Sequence, residues 1–133
     1  MRENKNLKGS ITVEMSYVLP LIIAVIVLLI NTVFYYHDKA VIIGAAGEVA
    51  EAAAEDIRIN GKRDMDAMAK ERIGNKLIML KVTDVKVDKK RGEAKVSIKA
   101  SKGPFRTGVS IKAEVPYPEK ALREKKKAED LLN

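Results

Sequence analysis

The 133-residue chain has no cysteine, which excludes disulfides and thiolate metal sites, so an exported domain here is held together by packing alone. Its length leaves room for one membrane segment and one small domain. The net charge is +7, and residues 37–133 carry +6 of it (22 Lys and Arg against 16 Asp and Glu). Aromatic residues make up 5% and tryptophan is absent, so no nucleic-acid partner is expected, because bases stack on aromatic side chains.

The chain begins with a basic leader, residues 1–9, ahead of a long apolar run. Arg2, Lys5 and Lys8 outnumber Glu3 in this leader. Short basic flanks stay on the cytoplasmic side of a membrane, so these three cations are the predicted orientation signal and place the N-terminus in the cytoplasm.

The apolar run from Met15 to Tyr36 predicts a membrane-spanning helix. Its 22 residues, at about 1.5 Å each, give roughly 33 Å of helix, enough to cross a hydrocarbon core of about 30 Å. The predicted interfacial anchors are the three aromatic residues at its end, Phe34, Tyr35 and Tyr36. The alternative is that these rings belong to the core of the following domain. We therefore expect residues 10–36 to be transmembrane and the rest of the chain to be extracytoplasmic.

A removable secretory signal peptide is the competing interpretation of this run. Such a peptide has an apolar region of about 7–15 residues with a small-residue cleavage site soon after it. Here the run is longer, and His37, Asp38 and Lys39 separate it from the first alanine-rich stretch. The sequence therefore favours a segment that stays attached, with His37 as a further interfacial residue.

A carboxylate, that of Glu14, stands at the start of the apolar run. Hydrocarbon opposes a bare charge by roughly 2.5–3.5 kcal/mol at mid-helix on insertion scales, and by less near the interface. Glu14 is therefore expected to have a partner. The alternative is an ordinary interfacial residue at the N-terminal end of a helix, where the macrodipole favours acids.

The residues around Glu14 form a recognisable string. It comprises Gly9-Ser10, Thr12-Val13-Glu14, Ser16 and Val18-Leu19-Pro20. This string resembles the N-terminus of TadE-like proteins, the pilin-like subunits of the tight-adherence (Flp-type) pilus machinery within the wider type IV pilin group. The resemblance covers roughly residues 8–58 with specific motifs and is only architectural beyond them.

The resemblance implies cleavage after Gly9 by a membrane-embedded prepilin peptidase on the cytoplasmic side. Ser10 would then begin a 124-residue product (133 minus 9), with Glu14 as its fifth residue. The implied partners are this peptidase, other pilin-like subunits in homo- or hetero-assembly, an inner-membrane pilus assembly platform and membrane lipid.

Elementary chemistry agrees with such processing. Glycine has no side chain, so an extended backbone at Gly9 enters a protease cleft without a clash. Cleavage leaves an ammonium group on Ser10, one helical turn from the Glu14 carboxylate, and in an array of parallel subunits the two charges neutralise each other between neighbours. Glu14 is thus predicted to set the register of assembly.

Pro20 lies inside the apolar run, where it removes one backbone donor and is expected to kink or loosen the helix over residues 16–20. In a pilin-like protein this is compatible with a melted segment that lets a filament stretch. The alternative is a kink of the kind that transmembrane helices tolerate.

Residues 37–60 predict a stalk that continues the same helix, from about Thr12 to Ile59 and on the order of 70 Å long. One face of the stalk is apolar, formed by Ala46, Val49, Ala50, Ala53 and Ile57. Gly44 and Gly47 keep the helix slim and allow another backbone to approach closely. The stalk either packs against other subunits or forms the core of its own domain, and both can hold along one helix.

Residues 61–118 predict an extracytoplasmic α+β head. Asp64 is the expected N-cap of a second helix that reaches about Leu80. A hairpin with its loop over residues 88–92 and a third strand from about Thr107 to Val115 follow. The predicted fold is a pilin-like lollipop, in which the long helix and the second helix pack on a small three-stranded antiparallel sheet. Residues 119–133 predict a charged tail, helical or partly disordered.

No pattern in the sequence predicts a catalytic residue, a metal site or a cofactor, so the chain is expected not to be an enzyme. We predict a structural minor pilin or pseudopilin, in the cell membrane or in a surface filament, with adhesion, secretion and DNA uptake left open as its purpose. The alternative is an uncleaved, signal-anchored membrane protein whose outer domain binds an anionic cell-surface polymer.

Overall fold

The computed structural model describes residues 3–115 and 117–132, with side chains from residue 9 onward. Its elements are α1 (Glu3–Ile59), α2 (Met65–Ile73), β1 (Lys81–Lys90), β2 (Glu93–Lys102), β3 (Phe105–Glu114) and α3 (Pro118–Leu132). The α+β class is confirmed, with a long N-terminal helix, a short second helix and a three-stranded antiparallel sheet. The chain divides after Tyr36 into two compact units. We call residues 11–36 the apolar segment. From here on, the head means residues 37–115, which include the second half of α1 as well as most of the predicted head.

Helix α1 ends as predicted, at Ile59. Asn60 adopts a positive φ of 55°, and the amide of Gly61 donates to the carbonyl of Asp56 at 2.9 Å, which closes the last turn in a left-handed cap. The predicted start near Thr12 was wrong, because the helix already begins at Glu3. Residues 3–11 contain no proline, so nothing in the leader stops helical hydrogen bonding.

Helix α2 begins as predicted but ends early. The Asp64 side chain caps its N-terminus by accepting two amide hydrogen bonds, each 3.1 Å long. The helix stops at Ile73 rather than near Leu80, because Gly74 takes a φ of 45° and its amide bonds to the carbonyl of Lys70 at 2.8 Å. Residues 74–80 therefore form an irregular connection that leads into β1.

The sheet has the order β1-β2-β3, with both neighbouring pairs antiparallel. The turn between β1 and β2 is shorter than the predicted loop over residues 88–92. Strand β1 continues to Lys90, so only Arg91 and Gly92 join it to β2, and the φ of 101° at Gly92 suits a glycine. Strand β3 begins at Phe105, directly after a second two-residue turn.

The core of the head lies between α1, α2 and one face of the sheet. Strand β2 is central and contributes alternate buried side chains, Ala94, Val96, Ile98 and Ala100. Helix α1 covers them with a buried face that includes Ile42, Ala46, Val49 and Ala53, and α2 adds Met65, Ala69 and Ile73. The predicted role of the stalk as a domain-core helix is therefore confirmed for this part of α1.

Candidate functional site

The apolar segment is exposed on all sides. Every side chain in residues 11–36 is exposed except that of Tyr35, which is half-buried. The helix that contains it is long and apolar enough to cross a membrane, and none of its most apolar stretch is buried. A helix that is apolar all round is stable when lipid or other protein covers it. This segment is therefore compatible with a membrane anchor.

The predicted cleavage junction lies within α1. Gly9 and Ser10 are both helical and exposed, and a Cβ added to Gly9 would meet nothing within 4 Å. Close packing within the chain therefore does not require glycine at this position. A protease binds an extended backbone, so cleavage here requires the first turns of the helix to unwind locally.

Of the predicted orientation signal, Arg2 lies outside the described residues. For Lys5 and Lys8 the structure gives only the backbone, which is helical.

Glu14 is exposed on the apolar segment. It is the only Asp, Glu, Lys, Arg or His between residues 9 and 36. Since residues three and four positions away on a helix are its surface neighbours, no cation of the same segment lies beside this carboxylate. A charge that compensates Glu14 in hydrocarbon would therefore have to come from outside the apolar segment.

Pro20 is an internal residue of α1, and residues 16–20 are helical. Farther along the segment, the Thr32 hydroxyl donates to the carbonyl of Leu28 at 2.8 Å. This bond within the helix satisfies a polar group that would otherwise be costly in hydrocarbon.

The predicted interfacial anchors lie at the end of the apolar segment. Phe34 and Tyr36 are exposed, and the rings of Tyr35 and Tyr36 meet edge to face with centroids 5.7 Å apart. Tyr36 thus combines an exposed apolar ring with a polar hydroxyl, as a residue of an interfacial belt does, whereas Phe34 offers an apolar ring alone.

Asp38, for which the sequence predicted no role beyond separating two stretches, is fully buried. Its carboxylate accepts three backbone hydrogen bonds, from the amides of Ile78 (2.8 Å), Met79 (2.7 Å) and Leu80 (2.6 Å). Burial raises the pKa of Asp38, but these three amides and the His37 side chain outweigh burial, so its pKa lies below the ordinary value. Asp38 is therefore an ionised clamp on the connection between α2 and β1.

Asp56 is a second buried carboxylate that the sequence did not predict. The ammonium of Lys89 donates to its Oδ2 at 2.6 Å, and this bond is the main reason why its pKa is lowered against the effect of burial. The guanidinium of Arg63 lies 3.9 Å from Oδ1, which accepts no hydrogen bond from any described residue. A Cβ on Gly61 would collide with that oxygen, so a larger residue there would displace the Asp56 carboxylate.

The two aspartates hold α1 against β1 at both ends of the strand. Asp38 binds the residues that lead into β1, and Asp56 binds Lys89 near its end. Eighteen residues of helix rise about 27 Å, and the nine residues from Leu80 to Lys89 span about 30 Å as a strand. Because these lengths match, both clamps are satisfied at once. A sequence signal existed, since both acids fall on the face of α1 that holds Ile42 and Val49.

No family model matches the chain, and no curated protein and no solved structure matches it either. Among the described residues, no group of three or more His, Asp or Glu side chains is placed to hold a metal ion.

Proposed function

We propose that the chain is a structural, non-enzymatic, TadE-like minor pilin or pseudopilin. It resides in the cell membrane with its N-terminus in the cytoplasm and is cleaved after Gly9 by a prepilin peptidase. It then assembles through its N-terminal helix into a tight-adherence or related type IV pilus apparatus. The observation that carries this proposal is the apolar segment, which is exposed on every side and has Glu14 as its single charge.

The spacing of Ser10 and Glu14 supports assembly through charge pairing. The two residues are four apart and lie on one face of α1, separated by about 6 Å along its axis. A neighbouring subunit shifted outward by that distance would bring its free Ser10 ammonium level with the Glu14 carboxylate. A buried charge that gains such a partner avoids most of its desolvation cost, so the correct stagger is favoured over others.

The helical conformation of the junction is compatible with a role for Gly9 in cleavage. Glycine is about 1 kcal/mol less favourable than alanine inside a helix, so α1 opens more readily at Gly9 than at its neighbours. Local opening would present an extended chain to the peptidase without a side chain in the way. The apolar segment beyond it stays in the bilayer.

Variants of Glu14 test the proposal in cells that make the apparatus. We expect Glu14→Gln and Glu14→Ala to be processed, with Ser10 as the N-terminus by mass spectrometry, and to be missing from sheared surface fibres or from purified assembly complexes. The matched control is Ser16→Ala, a polar position two residues away that carries no charge. Normal incorporation of both Glu14 variants would refute charge pairing as the basis of assembly.

The charge of residues 37–133 supports a second candidate, an uncleaved membrane-anchored protein whose outer domain binds an anionic cell-surface polymer. The two candidates differ at the N-terminus. An intact leader on the protein from cells supports the second one, and a Ser10 N-terminus supports the first.

A further inference from the structure

Three parts of the chain meet at one end of the head. The Asp38 carboxylate binds the amides of residues 78–80. Lys81 pairs with Ser101, next to the turn between β2 and β3. We call Lys39, residues 76–81 and residues 102–106 the basal end. The opposite end holds Asp56, Lys89 and the turn between β1 and β2.

The basal end is cationic. Its basic residues are Lys39, Lys76, Lys81, Lys102 and Arg106. Residues 37–47, 74–83 and 99–113 contain one acidic residue, Asp38, which is buried and bound to backbone amides. The next acid along β1, Asp84, pairs with Lys99 and lies 3.8 Å from the ammonium of Lys86. The opposite end mixes both signs, since Asp88, Glu93 and Glu114 lie among its basic residues.

Apolar side chains are exposed among these cations. Ile78 is 55% exposed and Phe105 is 40% exposed. An open groove of about 400 Å³ has Ile78 in its lining, together with Lys70, Lys81 and Lys102. Its floor includes Ile73, Leu77 and Leu80. Exposed apolar residues ringed by lysines match the boundary of a bilayer, where phosphates lie above acyl chains.

The basal end is also the end that is covalently joined to the apolar segment, because Asp38 is only two residues beyond Tyr36. We propose that the basal end binds the anionic phospholipid surface of the membrane that holds this protein before assembly. Ile78 and Phe105 enter the headgroup region, and the lysines contact lipid phosphates. This proposal rests on the membrane-inserted state in the proposed function.

Tryptophan fluorescence in vesicles tests the proposal, because the chain contains no tryptophan of its own. The full chain is reconstituted in vesicles of brominated phosphatidylcholine, with or without about one third phosphatidylglycerol, as single-tryptophan variants. In the anionic vesicles we expect Ile78→Trp and Phe105→Trp to lose about half of their fluorescence, because bromine quenches at short range and the basal end lies on the lipid.

Two further positions separate this proposal from the one on which it rests. Ile26→Trp reports on the apolar segment, and Ile59→Trp reports on an exposed position at the far end of α1. We expect the first to be quenched in both kinds of vesicle and the second in neither. Quenching of Ile26→Trp without quenching at positions 78 and 105 would overturn the lipid contact alone. If Ile26→Trp is not quenched, membrane insertion itself is wrong.

A charge reversal tests the role of the lysines. Lys76→Glu with Lys81→Glu, in the Ile78→Trp background, is expected to reduce quenching in anionic vesicles to the level of Ile59→Trp. The matched pair Lys125→Glu with Lys126→Glu, on the exposed helix α3, is expected to leave it unchanged. Equal quenching with and without phosphatidylglycerol would overturn recognition of anionic lipid. Recognition of anionic lipid would also be overturned if the fluorescence of Ile78→Trp responded only to added poly(glycerol phosphate), because the partner would then be a soluble polymer.

Discussion

The apolar segment and the head lie partly on the same helix, but their apolar and acidic side chains have opposite environments. In residues 11–36 the large apolar side chains are exposed and the single carboxylate, that of Glu14, has no neighbouring cation in the segment. In the head the apolar face of α1 is buried, and two carboxylates are buried with their own donors. The core of the head is therefore completed within the chain, whereas the chain leaves the apolar segment uncovered.

The largest expected effect comes from making the apolar segment polar. Val25→Arg with Leu29→Arg places two charges one turn apart at its middle, and each arginine costs about 3–4 kcal/mol relative to the residue it replaces on insertion scales. We expect most of the protein to leave the membrane fraction after alkaline carbonate extraction. Val25→Leu with Leu29→Val is the control and should remain in the membrane. Retention of the double arginine variant in the membrane fraction would show that the apolar segment does not depend on contact with lipid.

Removal of the Asp38 clamp is expected to have the next largest effect, and it acts on the head. Asp38→Ala leaves three backbone amides without their acceptor, two partly buried and that of Leu80 buried, which should destabilise the head by about 3 kcal/mol. Thermal unfolding of the full chain in detergent, followed by circular dichroism, measures the change. Glu51→Ala, an exposed position on α1, should change stability by less than about 0.5 kcal/mol. Equal melting of the two variants would contradict the clamp.

Acid should weaken the head through the same carboxylates. The pKa of Asp38 and that of Asp56 are lower in the folded chain than in the unfolded chain. The unfolded state therefore binds more protons, so this stability is fully present above about pH 5 and is lost as the pH falls below about 3.9 toward the folded values. Thermal melts between pH 7 and pH 3 measure the loss. Asp38→Asn should flatten the acid side of the profile, and an unchanged profile would count against an ionised Asp38.

The smallest effect on the isolated chain is expected at Gly44 and Gly47, where an added Cβ would meet nothing within 4 Å. Alanine at each position should stabilise the helix by about 0.5–1 kcal/mol. If another subunit approaches α1 closely at these glycines, Gly44→Ala with Gly47→Ala should reduce incorporation into the apparatus while raising the melting temperature. Unimpaired incorporation would show that the exposed side of α1 in the head needs no close approach.

Local signals were sufficient to predict much of the fold. The apolar period of α1, the Asp64 cap and the alternation of β2 are properties of neighbouring residues, and the structure agrees with them. The end of α2 was misplaced because apolar residues continue past Gly74 at helical spacing, while the backbone turns at that glycine. The apolar pattern alone could not show whether the helix continues past Gly74 or ends there.

The partners of the two buried aspartates could not be predicted from the sequence. Asp38 and the amides that donate to it are separated by 40 to 42 residues, and Asp56 and Lys89 by 33. An acid on an apolar helix face is a visible anomaly, but its partner depends on the register between α1 and β1, which only the folded chain defines. By contrast, the cleavage junction was predicted from a motif. The roles of Gly9 and Ser10 in processing and of Glu14 in assembly remain predictions.

The most direct test of the central claim is the mass of the N-terminal peptide of the protein from cells with an active prepilin peptidase. In these cells we predict a mature chain that begins at Ser10 and lacks residues 1–9. In cells without that peptidase we predict a full-length chain. A chain that keeps its leader in both kinds of cell would contradict the central claim, because no free ammonium would then form beside Glu14.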